Sequence, residues 1–281
     1  MISIIIPAYN EAGRIATQLA ALSEQTGGGD CEVVVADNGS TDATVQVASE
    51  WADRMPVRVV DASARRGVAA VRNTAVAQAR GDLLVFVDAD DVVFPGFVDA
   101  WRGLAGDVGF ATGPVIHFDA DAPPPPTAEH APRRLATQLG FLPYAVGANF
   151  AVRRAWFERS GGFLEDYPLS EDVEMSWRLQ LMGAELVFVP GAVVAKRRAP
   201  SLAATLRQYY RYGFGDPFLY RDYRAHGAPP PAFGPTIRSY LGLVARIPLL
   251  WRAESRRAWA HQLARRAGRL VGSVRAGVCY P

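Results

Sequence analysis

Strand-like and helix-like hydrophobic patterns alternate through the first 95 residues, and that alternation constrains the fold more than any other feature of the chain. Residues 2–6 (ISIII), 32–37 (EVVVAD), 57–62 (VRVVDA) and 82–90 (DLLVFVDAD) carry apolar runs of strand length. Between them, residues 12–26, 41–54 and 68–81 repeat apolar side chains at helical spacing. Ile15, Leu19 and Leu22 mark the inner face of the first helix, and Gly81 stops the third. Strands separated by helices predict an α/β fold with a mostly parallel sheet flanked by helices. In such sheets ligands bind beyond the carboxyl ends of the strands. Three polar segments, PAYNE (7–11), DNGSTD (37–42) and DADD (88–91), each follow a strand directly and so fall on one rim.

The DADD segment poses a charge problem. A buried strand ends in Asp88, Asp90 and Asp91, three carboxylates in four positions, and the neighbouring sequence offers no counter-charge. Side chains at i and i+2 of an extended strand share a face, which turns Asp88 and Asp90 the same way. A Mg²⁺ or Mn²⁺ held by one or two such carboxylates also takes substrate phosphates as ligands. The alternative is an N-cap for the helix expected over 96–106, which needs one Asp rather than three.

The remaining motifs each read two ways. Asp37 and Asn38 can meet the edge of a base or a ribose, or can serve only the turn that Asn38-Gly39 imposes. Pro7 is expected to end the first strand, after which Tyr9, Asn10 and Glu11 line a pocket or merely start a helix. Arg72 offers a guanidinium to a diphosphate or is a surface arginine. In SEDVEMSWRL, Ser170 is the expected N-cap and Asp172 the second helical position, where the helix dipole favours an ionised carboxylate. Such an Asp can take a proton from a substrate hydroxyl or can be a dipole partner only. Glu171 faces about 100° away from it.

Beyond residue 95 the patterns predict a helix, a strand-like stretch over 108–118, a proline-rich loop over 119–132, a short strand and helix over 149–163, and strands in AELVFVP and AVVAK. With 281 residues and 49% hydrophobic side chains the chain can bury a full core. Cys31 and Cys279 have no metal or disulfide spacing, which suggests a reducing compartment, and the amino terminus lacks the basic segment of a signal peptide. Residues 237–281 hold nine arginines against Glu254, a local +8 in a chain of net +2. Within this tail SYLGLVARIPLLW is interrupted by Arg246 and Pro248 and is too short to span a bilayer. Trp259, Leu263, Leu270 and Val274 form an apolar stripe that either packs on the body or lies on an anionic membrane surface.

Taken together, PAYNE, VVVADNGSTD, RRGVAAVRN, GDLLVFVDADD, GANFAVRRAWFERSGGF and SEDVEMSWRL resemble the family-2 glycosyltransferases with the GT-A fold, over roughly residues 2–183. The resemblance implies an inverting transferase that moves a sugar from a nucleotide-diphospho-sugar, most often a uridine one, to a saccharide or lipid-linked acceptor. It implies that Pro7, Tyr9, Asn10, Glu11, Asp37 and Asn38 hold base and ribose, that Asp88, Ala89 and Asp90 form the DxD element, and that Asp88 and Asp90 bind the metal. Arg72 and Glu171 join the donor site, Gly147, Ala148 and Asn149 lie near the sugar, and Asp172 is the catalytic base. Relatives often carry a metal-reaching histidine where this chain has Lys196, Arg197 and Arg198, so either the metal is held by fewer protein ligands or these cations take over part of its work on the diphosphate. No QxxRW-type motif of processive synthases is present, and residues 206–215 resemble the family's C-terminal helix on the acceptor side.

On this reading residues 1–200 form the transferase domain and 201–281 an Arg-rich helical extension. The protein is expected in the cytoplasm, at the inner face of the membrane, with no nucleic-acid partner. Two rivals are weighed. DADDV also satisfies the nucleophile motif of haloacid-dehalogenase-type phosphatases, but that motif belongs on a first strand and two motif-bearing strands precede it here. A degenerate, membrane-attached nucleotide-binding module is opposed by intact Asp88, Asp90 and Asp172.

Overall fold

The computed structural model describes residues 1–245, 247 and 253–281. The first half alternates β1 (Ile2–Ala8), α1 (Ile15–Ser23), β2 (Cys31–Asp37), α2 (Thr44–Ser49), β3 (Val57–Asp61), α3 (Val68–Gln78) and β4 (Leu83–Phe86). There follow β5 (Val92–Val93), α4 (Phe97–Arg102), β6 (Phe110–Thr112), β7 (Val115–Phe118), β8 (Ala136–Thr137), β9 (Pro143–Tyr144), β10 (Phe150–Arg153) and α5 (Arg154–Ser160). The chain continues through α6 (Glu171–Leu181), β11 (Leu186–Phe188), β12 (Val194–Arg197), α7 (Leu202–Tyr223), α8 (Phe233–Ala245) and α9 (Ala253–Ala276).

The main sheet has the order β11-β6-β10-β4-β1-β2-β3, parallel except at β10. Its central strands are mostly apolar because both faces are covered. Ile4, Ile6, Val33, Val35 and Val85 point to one side, where Ile15, Leu19 and Leu22 of α1 pack. Ile5, Val34, Leu84 and Phe86 point to the other, against Val71, Ala75 and Val76 of α3. Ile4, Ile5 and Ile6 are fully buried, each stabilising the fold by about 1.5–3 kcal/mol before ordering costs.

Two expectations change. β1 runs through Ala8, with Pro7 in register with Ala36, so Pro7 does not end the strand. The stretch 108–118 is two strands in different sheets, β6 in the main one and β7 in a three-stranded sheet of order β5-β12-β7. That small sheet fixes the geometry of the site. Val92 pairs with Ala195 and Val93 with Val194, antiparallel, so the DADD segment before β5 runs alongside Lys196 and Arg197.

In the tail, α9 packs along α7 with its glycine face rather than its apolar stripe. The helix thus packs on the body, but through another face: Leu263, Leu270 and Val274 of its stripe remain 43%, 48% and 83% exposed, while Trp259 donates its indole N–H to the Leu243 carbonyl of α8. Arg246 and Pro248 lie outside the described residues.

Candidate active site

The strand order reverses between β4 and β1, and the carboxyl ends of these strands open the crevice in which α/β sheets bind ligands. The loops after β1 and β2 are tied to each other there. Asn10, at φ 56°, accepts the Thr41 N–H at 2.8 Å, and its own N–H reaches the Ser40 hydroxyl. The Glu11 and Ala12 amides donate to Thr44 Oγ1 and Asp42 Oδ2. Asp37 is buried and accepts the Gly39 and Ser40 amides; Asn38 Nδ2 donates to the Ala62 and Arg65 carbonyls. These groups shape the rim by serving the backbone. Tyr9 is 45% exposed, with the Arg66 guanidinium over its ring.

The three aspartates lie across the crevice, their ligand oxygens all within 4.8 Å of one another. The chain supplies part of their counter-charge from far away in sequence. Lys196 Nζ lies 2.6 Å from Asp88 Oδ2 and 3.4 Å from Asp91 Oδ2, the Arg197 N–H donates to Asp91 Oδ1 at 3.0 Å, and Arg72 lies 3.5 Å from Asp88 Oδ1. Burial opposes the charge on Asp88, but Lys196 and then Arg72 outweigh it and hold the carboxyl below its ordinary range. Burial pushes Asp91 well above that range despite Lys196. Burial and the Asp88 charge raise Asp90, whose carboxylate no other side chain hydrogen-bonds among the described residues. Glu11 is raised by burial and by Asp90, which places it beside the same cluster. Arg198 turns outward to Asp119.

A carboxylate set of this kind suits Mg²⁺ or Mn²⁺. Asp90 is open to such an ion, whereas Asp88 and Asp91 already face an ammonium. Ala89 between them is buried in the core and offers no ligand atom beyond its backbone.

Arg72 joins this cluster to the second half of the site. It is 3% exposed, not a surface arginine, and its guanidinium donates to Glu171 Oε1 at 2.9 Å and to the Gly147 carbonyl at 3.1 Å. Asp172 is the second residue of α6, as its spacing predicts; Ser170 occupies the N-cap position in a left-handed conformation and makes no side-chain cap bond. Asp172 Oδ2 accepts the Gly147 N–H at 2.8 Å and Oδ1 its neighbour's N–H at Val173. Burial first, then the Glu171 charge, push its carboxyl up to about 6. Gly147 permits this approach, since a Cβ there would lie 2.9 Å from Arg72 and 3.1 Å from Asp172. Ala148 and Asn149 stand behind the wall. Asn149 is fully buried, and its amide binds the Pro114 and Ala192 carbonyls.

Two tyrosines complete the surroundings of Asp172, and neither stood out individually in the sequence. Tyr144 on β9 is raised to about 12 by burial and by Asp172. Tyr212 on α7 is raised by burial and, against the pull of Lys196, by Asp172 and Asp88. Only the general expectation that residues 206–215 flank the site pointed toward Tyr212; Tyr144 sits in a two-residue strand without a periodic signal.

Comparison with known proteins agrees with this geometry. Residues 3–161 match the model of glycosyl transferase family 2, and residues 83–267 that of glycosyl transferase family group 2. The validoxylamine A glucosyltransferase of Streptomyces hygroscopicus subsp. jinggangensis is 31% identical over 223 residues, 65% of this chain and 52% of that protein. The succinoglycan biosynthesis protein ExoU of Rhizobium meliloti is 32% identical over 208 residues, 65% of this chain and 58% of that protein. An uncharacterized glycosyltransferase of Bacillus subtilis, YfnE, is 41% identical over 88 residues, 31% of this chain and only 22% of its own length. The matches thus span about half or less of most of these relatives. Among solved structures, a mannosyltransferase from Pyrobaculum calidifontis in complex with GDP-Man and Mn²⁺ superimposes with a TM-score of 0.68 at 22% identity, over 96% of this chain and 86% of that one. TarS of S. aureus with UDP-GlcNAc gives 0.58 at 16% identity, over 100% and 93%. At these identities the superpositions establish a shared GT-A fold.

Proposed function

The chain belongs to glycosyl transferase family 2, and from that premise we propose that it moves a sugar from a nucleotide-diphospho-sugar to an acceptor hydroxyl with inversion. The observation that carries this reading is the placement of Asp172, a carboxylate raised to about 6, on the same rim as the Asp88–Asp91 cluster, with Arg72 bridging the two.

The donor's diphosphate fits against the end of β4 and its nucleoside against the tied loops after β1 and β2. The sugar lies over Gly147, between the cluster and Asp172. Asp172 takes the proton of the acceptor hydroxyl, whose oxygen forms the new bond to the anomeric carbon. The bond to the phosphate oxygen breaks with its electron pair staying on the diphosphate. Lys196 and Arg72 place positive charge beside that leaving group. A Mg²⁺ or Mn²⁺ bound together with the donor, for which Asp90 is the open carboxylate, would supply further positive charge to the diphosphate. Tyr144 and Tyr212 border the acceptor side, and the Arg-rich α8–α9 region contacts an anionic membrane surface.

The neighbours bind both GDP-Man and UDP-GlcNAc, so the base is left to experiment. Calorimetric titration with UDP, GDP and dTDP should give binding of one of them that Asp37→Ala weakens at least tenfold. If none of the three binds with or without Mn²⁺, the donor-site reading falls.

A further inference from the structure

Lys196 is the single lysine among the 30 lysine and arginine residues of this chain, and it sits where three carboxylates converge. Elsewhere the sequence uses arginine for every cationic side chain. The two cations differ in shape: a guanidinium is planar and spreads its charge over a fork, whereas an ammonium is a compact point charge. Arg197, the next residue, shows where a guanidinium goes instead. Its head reaches the backbone carbonyls of Asp90 and Ala120 and lies over the Phe118 ring.

The ammonium is held in position by the fold. β12 is paired on both sides, antiparallel to β5 and parallel to β7, and the side chain of Lys196 is only 20% exposed. Its Nζ lies 2.6 Å from Asp88 and 3.4 Å from Asp91. An ammonium has three donors, so one remains for an incoming phosphate oxygen. The other charges facing the cluster are Arg72 on the second oxygen of Asp88, and Glu11 with its partner Arg14 beside Asp90. None of these contacts Asp91, and among the described residues Lys196 is the one cationic side chain paired with it.

We propose that Lys196 is a built-in counter-ion occupying the cation position of the Asp88–Asp90–Asp91 cluster, so that the protein takes up free Mn²⁺ weakly and binds a nucleoside diphosphate without a divalent metal. The nucleotide half rests on the donor-site reading above; the metal half stands on the cluster alone.

The test is an electron paramagnetic resonance titration of free Mn²⁺ into wild type, Lys196→Met and Lys196→Arg, without nucleotide. The same proteins are then titrated by calorimetry with UDP, GDP and dTDP in EDTA and in Mn²⁺. Removing one unit charge a few ångströms from the ion should tighten Mn²⁺ binding at least about tenfold in Lys196→Met, and leave Lys196→Arg weak. Nucleotide binding should survive EDTA in wild type and become metal-dependent in Lys196→Met. Equal or tighter Mn²⁺ binding by wild type would overturn the proposal, as would loss of wild-type nucleotide binding in EDTA. If no diphosphate binds any of the proteins, the donor-site reading fails while the Mn²⁺ titration still decides the role of Lys196. Should circular dichroism show Lys196→Met unfolded, Lys196→Gln, which keeps a hydrogen-bond donor but no charge, carries the same expectations.

Discussion

At the scale of single residues, Asp172 joins a cost in stability to a chemical role. Burial and the Glu171 charge raise its carboxyl to about 6, against an ordinary value of 3.8. A carboxylate raised in the folded state favours folding while it is protonated, below about pH 4, and loses that contribution as pH rises through about 6. At pH 8 the ionised Asp172 therefore destabilises the fold, by an amount on the order of 1–3 kcal/mol. Asp172→Asn should raise the thermal midpoint at pH 8 and leave it little changed at pH 4. The same substitution removes the proton acceptor, so transfer should fall by about 10²–10⁴-fold. In wild type the acid limb of kcat/KM should lie near pH 6, since the base must be ionised. A limb near pH 4, or a variant with full activity, would remove Asp172 from the proton transfer.

At the scale of elements, α7 and α9 are held by a buried carboxylate between two close-packed backbones. Asp216 of α7 is fully buried and takes Arg269 at 2.7 Å and Arg265 at 3.2 Å from α9, with Gln138 on its other oxygen. Gly213 lies against the Arg265 backbone, and Gly268 and Gly272 against the carbonyls of Tyr210 and Phe214, leaving no room for a Cβ. In Asp216→Ala the two arginines lose their partner but remain partly hydrated, so the loss should be about 2 kcal/mol rather than the larger cost of a fully buried orphan. Hydrogen exchange should then quicken about 30-fold through α9 and stay unchanged in β1 and β4. A uniform loss of protection would show that the seam is not a separate cooperative unit.

Elements also show what the sequence makes legible. Long apolar runs such as ISIII and VVVA report burial on both faces of a parallel sheet, and the polar segments after them locate the rim. Asp172 at the second position of α6 followed from local spacing. Lys196 beside Asp88 did not, because that contact depends on the β5–β12 register, which two apolar residues per strand cannot encode as a pattern. The β8–β9 hairpin that brings Tyr144 to Asp172 was missed for the same reason. In α9 the apolar stripe drew attention, yet the packing surface is the face bearing Gly268 and Gly272, whose contribution is the absence of side chains.

For the whole molecule, the site and the tail form one continuous arrangement. From Asp172 the structure leads through Tyr144 and Tyr212 to α7, then across Asp216 to α9 and α8. On α8, Leu243 and Tyr240 face α9, whereas Ile237, Leu241 and Val244 are 59%, 64% and 64% exposed at spacings of four and three residues. No described helix is long and apolar enough to cross a membrane. An apolar helix face in a segment whose sequence carries nine arginines matches the chemistry of an anionic lipid surface, where each arginine near the surface contributes about 1 kcal/mol. The protein should therefore co-sediment with vesicles containing a large fraction of phosphatidylglycerol and not with pure phosphatidylcholine. Because the screening length falls to about 3 Å at 1 M salt, binding should weaken strongly there if the arginines drive it. Leu241→Glu with Val244→Glu places two carboxylates on the exposed face without touching Leu243, so it should abolish sedimentation while the thermal midpoint holds. Binding that ignores salt would assign the affinity to the apolar face alone, and no binding to anionic vesicles would leave that face to a partner other than lipid.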